Sequence, residues 1–338
     1  MPVADHGHAG LWALAWRRLR ADRLAMAALA VVAACLAMVL MSATGLVAAD
    51  WEDEVAVNYA PPAFVGAPPD AAAATAVTRA VPDNPFDPLA AELRALRAEL
   101  AREHPEANAP RRATLPFGAD KWGHDIVKKT IKGGETSIVV GLVAALLAVG
   151  LGTLFGAVSG FYGGLVDDFF NWFYSVFTAI PSILMILTVA AVLQQKGVLT
   201  IVLILGLTGW TGPYRLIRAE YLRHKAREYV LAADAIGASP WRRIFGHIFP
   251  NVSHVALVQL SILVVGFIKA EVILSFLGFG VPVGVVSWGS MLNEAQNELL
   301  LGKWWQLAAA AVAMAVLVTA FSLLADALRD ALDPKVKS

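Results

Sequence analysis

Six apolar runs, about 24–48, 136–160, 169–193, 198–218, 252–276 and 305–325, leave this chain few ways to fold. A helix rising 1.5 Å per residue needs about 20 such residues to cross a bilayer's hydrocarbon core. In lipid, a run of this kind satisfies its own backbone donors and acceptors only as a helix. Composition agrees: 16% of the 338 residues are charged, against about 25% in soluble domains. The formal net charge is zero, so no basic surface calls for nucleic acid. The one cysteine, Cys35, allows neither an intramolecular disulfide nor a cysteine metal cluster and reads as a small hydrophobe in the first run. That run exceeds the about 7–15 apolar residues of a signal peptide, so it is read as an uncleaved span.

Lys and Arg in short flanks set orientation. Arg17, Arg18, Arg20 and Arg23 precede the first span. Arg215, Arg218, Arg223, Lys225, Arg227, Arg242 and Arg243 lie around the connection between the fourth and fifth, and Arg329, Lys335 and Lys337 follow the sixth. The opposite short loops hold only Lys196 and Lys303. Both termini are therefore expected on the cytoplasmic side, with Trp288, Trp304 and Trp305 in an outer aromatic belt. The organisation expected is a cytoplasmic lead (1–23), a first span (24–48), an extracytoplasmic segment (49–134), a five-span core (135–328) and a cytoplasmic tail (329–338).

The extracytoplasmic segment is rich in Ala and Pro, and Ala60-Pro61-Pro62 and Ala67-Pro68-Pro69-Asp70 exclude helix and central strand. Within it, Asp87 as N-cap, Pro88 as first residue and the stripe Leu89, Leu93, Leu96 and Leu100 predict an amphipathic helix over about 88–103. It packs on the membrane domain's outer face or helps dock an extracytoplasmic partner. Asp326, Arg329 and Asp333 are spaced for an ion-pair ladder on a helical extension of the sixth span.

The most organised polar stretch is REYVLAADAIGASPWRRIFGHIFPN, residues 227–251. Glu220 to Ile236 reads as helix, ended by Gly237 in a left-handed cap. Ser239 caps a second helix with Pro240 at its first position, an apolar face from Trp241, Ile244, Phe245 and Ile248, and Pro250 closing it. Arg242 and Arg243 flank that face. Two short capped helices at an angle form an elbow able to pass a push from a cytosolic partner into the adjoining spans. An amphipathic interfacial hairpin with snorkelling arginines has the same pattern.

The elbow resembles the Glu-Ala-Ala loop of ABC-importer permeases: Ala232, Ala233, Gly237, Ile248 and Pro250 fit, while Leu231 stands at the family's Glu and Glu228 lies one helical turn earlier. LWALAWRRLRADRLA (11–25), FGADKWGHDIVKKTIKGGETSIVVGL (117–142), SGFYGGLVDD (159–168), GWTGPYRLIRAE (209–220), EVILSFLGFGVP (271–282), SWGSML (287–292) and LLADALRDALDP (323–334) are similar, in order, to the second permease subunit of dipeptide, oligopeptide and nickel importers (DppC/OppC-like). Lys121, His124 and Lys128 depart from its commonest residues, and the segment at about 55–110 is longer than its usual connection.

The resemblance implies an all-α fold of six transmembrane helices, the type I importer permease, in a bacterial cytoplasmic membrane. It implies a homologous permease partner (DppB/OppB-like), two ATP-binding subunits carrying ATP and Mg, and an extracytoplasmic solute-binding protein. The implied cargo is di- or oligopeptides, with nickel chelates or another small solute as the alternative. A membrane scaffold or receptor working through its outer segment is the reading from another class. The resemblance also makes the loop at 220–250 the ATPase-coupling element, with Glu228, Leu231, Ala232, Ala233, Asp234, Gly237, Ala238, Ser239, Pro240, Arg242, Arg243, Ile248 and Pro250 as its residues.

A phosphate-cradling loop ends in Gly-Lys-Ser/Thr, and the one Gly-Lys here, Gly302-Lys303, precedes Trp304, so no cofactor and no ATP hydrolysis are expected on this chain. Charges inside spans are costly and point to pathways. Lys269 and Glu271, too close in sequence to share a helix face, and Pro181, a kink in the third span, are the candidates for the translocation pathway or gate.

Overall fold

The computed structural model describes residues 11–67, 88–103 and 111–332. Twelve α-helices are described, in the order α1 (Leu11–Ala21), α2 (Arg23–Ala43), α3 (Ala90–Glu103), α4 (Ile126–Tyr162), α5 (Gly164–Thr178), α6 (Ser182–Leu193), α7 (Val198–Thr208), α8 (Thr211–Lys225), α9 (Glu228–Ala235), α10 (Phe249–Phe276), α11 (Trp288–Leu300) and α12 (Trp305–Leu332). A π-helical stretch, Arg242–Ile248, leads into α10. By length and composition α2, α4, α10 with its π-helical lead, and α12 can each cross a membrane, and α5 with α6, bent by 81°, forms a further candidate. The chain is thus an all-α polytopic membrane protein.

Helix α4 is the axis of the bundle. Asp125 caps it, its carboxylate accepting from the Val127 N–H at 2.8 Å. Gly152, Gly156 and Gly160 recur every fourth residue and let α8 lie directly against it. A Cβ on Gly152 would sit 2.6 Å from the Trp210 carbonyl oxygen, and one on Gly156 would sit 2.7 Å from that of Tyr214. On another face, Gly141 admits Ile268 of α10.

The fourth apolar run is not one helix. It breaks at Gly209–Trp210, between α7 and α8. Gly209 gives way to the ring of Phe267, which a Cβ there would meet at 2.3 Å. Trp210 turns inward, stacked on Phe173 at 5.2 Å with Phe155 and Phe177 edge-on. The third run bends at Pro181, whose extended backbone (φ −53°, ψ 129°) separates α5 from α6.

Several local expectations are corrected. The helix expected over Glu220–Ile236 breaks at Ala226–Arg227, because α8 is held along α4 while Val230 must turn back to reach the cluster around Phe161. Pro250 does not close a helix. The chain stays helical from Pro240 to Phe276, and the π register, in which the Phe249 N–H bonds the Ile244 carbonyl, carries it past the proline's missing donor. Trp288 and Trp305 do not lie in a surface belt: both are buried, their indole N–H groups donating to the carbonyls of Thr130 (2.9 Å) and Ala119 (2.7 Å). Asp326 and Arg329 are exposed and form no ion pair with each other, because an exposed pair gains too little to order two side chains. Asp333 lies outside the described residues, as does Asp87.

The amphipathic helix is present as α3, and Leu89, Leu93 and Leu96 are exposed rather than packed on the bundle. The segments around 55–62 and 111–119 pair through isolated bridges, Ala56 with Arg112 and Pro62 with Leu115. They close over the start of α4, at the end of the bundle opposite α8 and α9.

Candidate functional site

Helix α9 ends in a double hydrogen bond around Gly237 (φ +82°): the Ala238 N–H donates to Ala233 O at 3.0 Å and the Gly237 N–H to Asp234 O at 2.8 Å. The next helical arm starts at Pro240, with the Ser239 hydroxyl 3.4 Å from the Arg242 N–H. Arg243 ties the arms together through Asp234 at 2.5 Å, and its guanidinium lies 5.3 Å over the Phe161 ring. The Tyr221 hydroxyl donates to Ile244 O at 3.2 Å from a buried position. Val230, Ile244 and Ile248 are buried with Ala157, Phe161, Ile217, Tyr221 and Val252. The elbow is therefore fastened to α4, α8 and α10 together, and it cannot shift without dragging them.

Its other surface carries no cover among the described residues. Leu231, Ala232, Ile236, Trp241 and Phe245 are exposed, with Trp241 stacked on Phe245 at 5.5 Å. Ile236, at the tip, is 85% exposed. Glu228 is exposed one turn before Leu231.

Beside the elbow, Arg218 of α8 grips Asp167 of α5 with two parallel bonds, Nε–Oδ1 at 2.6 Å and Nη2–Oδ2 at 2.5 Å. Ser159 of α4 donates to the same carboxylate. This pin was not singled out in the sequence, although an acid in a helix this apolar signals a partner.

The pathway candidates do not meet. Pro181 is exposed at the α5–α6 bend, and Lys269 is exposed on α10. Glu271 is fully buried, accepting from the hydroxyls of Ser137 and Ser275, each at 2.6 Å. Ser137 also accepts from the Trp288 N–H at 3.2 Å, so this one carboxylate joins α4, α10 and the start of α11.

A second charged cluster, also missed in the sequence, lies at the far end. The buried Lys129 ammonium donates to Asp120 and Glu294, both at 2.7 Å, and to Gln306 at 3.3 Å. Burial works against the charge on Asp120, but the hydrogen bond from His124 and the Lys129 charge hold its carboxyl below the usual range. Glu298 is 2% exposed, and neither of its carboxylate oxygens has a hydrogen-bond partner among the described residues. Burial pushes it up to about 7; Asp120 and Glu294 add to this, and Lys129 and the Lys121 backbone N–H oppose it. An acid raised in the folded state contributes stability below its unfolded pKa and loses it as pH climbs through the folded value. Stability should therefore fall by about 2–3 kcal/mol between roughly pH 4.5 and 7.5, and Glu298→Gln should remove that fall. Detergent-solubilised protein unfolded at a series of pH values measures both, and an unchanged profile in the variant would refute the assignment.

A bundle of long apolar helices, braced by buried ion pairs and bearing a rigid elbow at one end, defines a multi-pass membrane protein. Residues 152–338 match the family described as binding-protein-dependent transport system inner membrane component, and residues 10–62 match the N-terminal TM domain of oligopeptide transport permease C. The dipeptide transport system permease protein DppC of Bacillus subtilis is 37% identical over 69% of this chain and 72% of its own length. The oligopeptide transport system permease protein OppC of the same species is 38% identical over 65% and 72%. OppC of Haemophilus influenzae is 33% identical over 65% and 70%. The chain belongs to the binding-protein-dependent inner-membrane permeases of ABC importers, among the DppC/OppC-like subunits.

Proposed function

We propose that this chain is one of two permease subunits enclosing the pathway of an ATP-driven importer of di- and oligopeptides in the bacterial cytoplasmic membrane. On this reading the chain spans the membrane six times, the fourth span being α7 with the first turns of α8, and both termini are cytoplasmic. A homologous permease forms the other half of the pathway. Two ATP-binding subunits, holding ATP and Mg, sit beneath the elbows, and an extracytoplasmic solute-binding protein delivers cargo to the opposite face.

The supporting observation is the elbow: a doubly capped, ion-paired unit fastened to three helices, with an apolar face left open at its tip. Of the residues from Glu228 to Pro250 named above, the exposed ones seat it on the ATP-binding subunit, while the buried Ala233 and Ile248 hold it to the bundle. Closure of those subunits pushes the elbow, and α4, α8 and α10 follow as one body, so ATP shifts the population between inward- and outward-facing states. Pro181, Lys269 and Glu271 are assigned to the pathway and its support, the first at the bend between α5 and α6, the others on α10.

The names of the DppC and OppC relatives favour peptide cargo. A photoreactive maleimide on Ile236→Cys, in a Cys35→Ser background, tests the reading in the assembled complex. The expected adduct is with the ATP-binding subunit, at a yield that changes with ATP. Adducts confined to lipid or to the solute-binding protein would overturn it.

A further inference from the structure

At the end of the bundle away from the elbow, a cavity of about 660 Å³ opens between chain segments far apart in sequence. Trp51 and Glu52 come from the stretch after α2, Lys121 and Trp122 from the turn before α4, Lys196 from the connection of α6 to α7, and Glu294 from α11. The loop between α10 and α11 forms the remaining wall, bent at Gly278 and Gly284 (φ +85° and +88°), with Val283 fully exposed. We propose that this cavity binds short zwitterionic peptides by their two charged ends, an inference that rests on the peptide-import reading and assigns the cargo a first docking place on this subunit.

The charges carry the argument. Deeper in, the Lys129 ammonium is shared by Asp120 and Glu294. Glu52 and Lys196, of opposite sign, line the same cavity yet make no ion pair or side-chain hydrogen bond among the described residues. Lys121 is only loosely held, 4.0 Å from Glu294 and 5.5 Å over the Trp122 ring. A purely anionic or purely cationic ligand would meet repulsion from half of this lining. A zwitterion places its ammonium at Glu52 and its carboxylate at Lys196, with Lys121 as a second cation for the carboxylate.

The remaining surface suits the body of a peptide. Trp51, edge-on to His124 at 6.0 Å, and Trp122 offer indole faces to side chains of varied shape. The volume falls within the about 300–1,000 Å³ of small-molecule sites. Neither the indoles nor the exposed glycine-bent loop demands a particular side chain, which fits selection by end groups rather than by sequence.

The test uses the full chain in nanodiscs, titrated calorimetrically with trialanine, N-acetyl-trialanine and trialanine amide. Trialanine should bind about tenfold tighter than either singly blocked form, equivalent to about 1.4 kcal/mol for each end. Glu52→Gln should erase the preference for a free amine and keep that for a free carboxylate, and Lys196→Gln should do the reverse. Both side chains are exposed and unbonded, so unchanged far-ultraviolet dichroism is expected for both variants. No saturable binding, equal binding of all three peptides, or equal loss of both preferences in both variants would overturn the proposal. ATP-driven uptake of trialanine by the assembled transporter is measured separately. Uptake without end-group preference in binding would overturn the cavity assignment and leave the import reading standing. End-selective binding without uptake would support the cavity and overturn peptide import.

Discussion

Ile236→Asp should abolish ATP-driven uptake while leaving the chain inserted and folded. Ile236 is 85% exposed and lies one residue before the Gly237 cap, so the substitution disturbs no contact within the subunit. In the assembled transporter the same position is proposed to enter a groove of the ATP-binding subunit. An unpaired carboxylate buried there costs about 3–5 kcal/mol, and 3 kcal/mol is already more than a hundredfold in affinity. The measurement pairs uptake in vesicles with copurification of the ATP-binding subunit, normalised to the amount of chain in the membrane. Full uptake in this variant would remove the elbow from the coupling path, because no other exposed apolar residue of that region stands further out.

Gly156→Val should strongly damage the bundle. The first added carbon would lie 2.7 Å from the Tyr214 carbonyl oxygen and 3.0 Å from the Arg218 nitrogen, both backbone atoms that no rotamer change can move. Overpacking a core costs about 1–3 kcal/mol and more where backbones must part, so a loss of about 3 kcal/mol or more is expected. Separation of α4 from α8 would also spoil the grip of Arg218 on Asp167. Gly150→Val supplies the control, since its Cβ would meet nothing within 4 Å. Unfolding of both variants in mixed detergent should show a large shift for the first and little for the second; equal shifts would mean that helix propensity, not close approach, sets the cost.

Much of this was legible from one-dimensional pattern. The long apolar helices, the left-handed cap at Gly237 and the Ser239 hydroxyl facing the Arg242 N–H depend on neighbours in sequence, and each is present. Ordered blocks such as SGFYGGLVDD and EVILSFLGFGVP pointed to the permease family that the comparisons then showed. What sequence reading missed was long-range. The break at Gly209 exists because Phe267 needs room, and the break at Ala226 exists because Val230 must reach Phe161. Pro250 read as a stop because a proline removes one α-helical bond, whereas a π turn upstream removes the conflict. Trp288 and Trp305 read as surface anchors because indoles favour interfaces, yet the Thr130 and Ala119 carbonyls were waiting for their N–H groups.

The stripe Gly152, Gly156 and Gly160 was readable as small residues at every fourth position, and only the structure shows that α8 is what they admit. Local chemistry therefore determined that this chain would be helical, membrane-borne and capped into an elbow, because hydrophobic length, proline, glycine and short polar side chains act within a turn or two. Tertiary structure alone decided where the helices break, which buried charges meet and which faces stay open. Those outcomes depend on space and partners supplied by residues dozens of positions away, as Lys129 depends on Glu294 and Asp167 on Arg218.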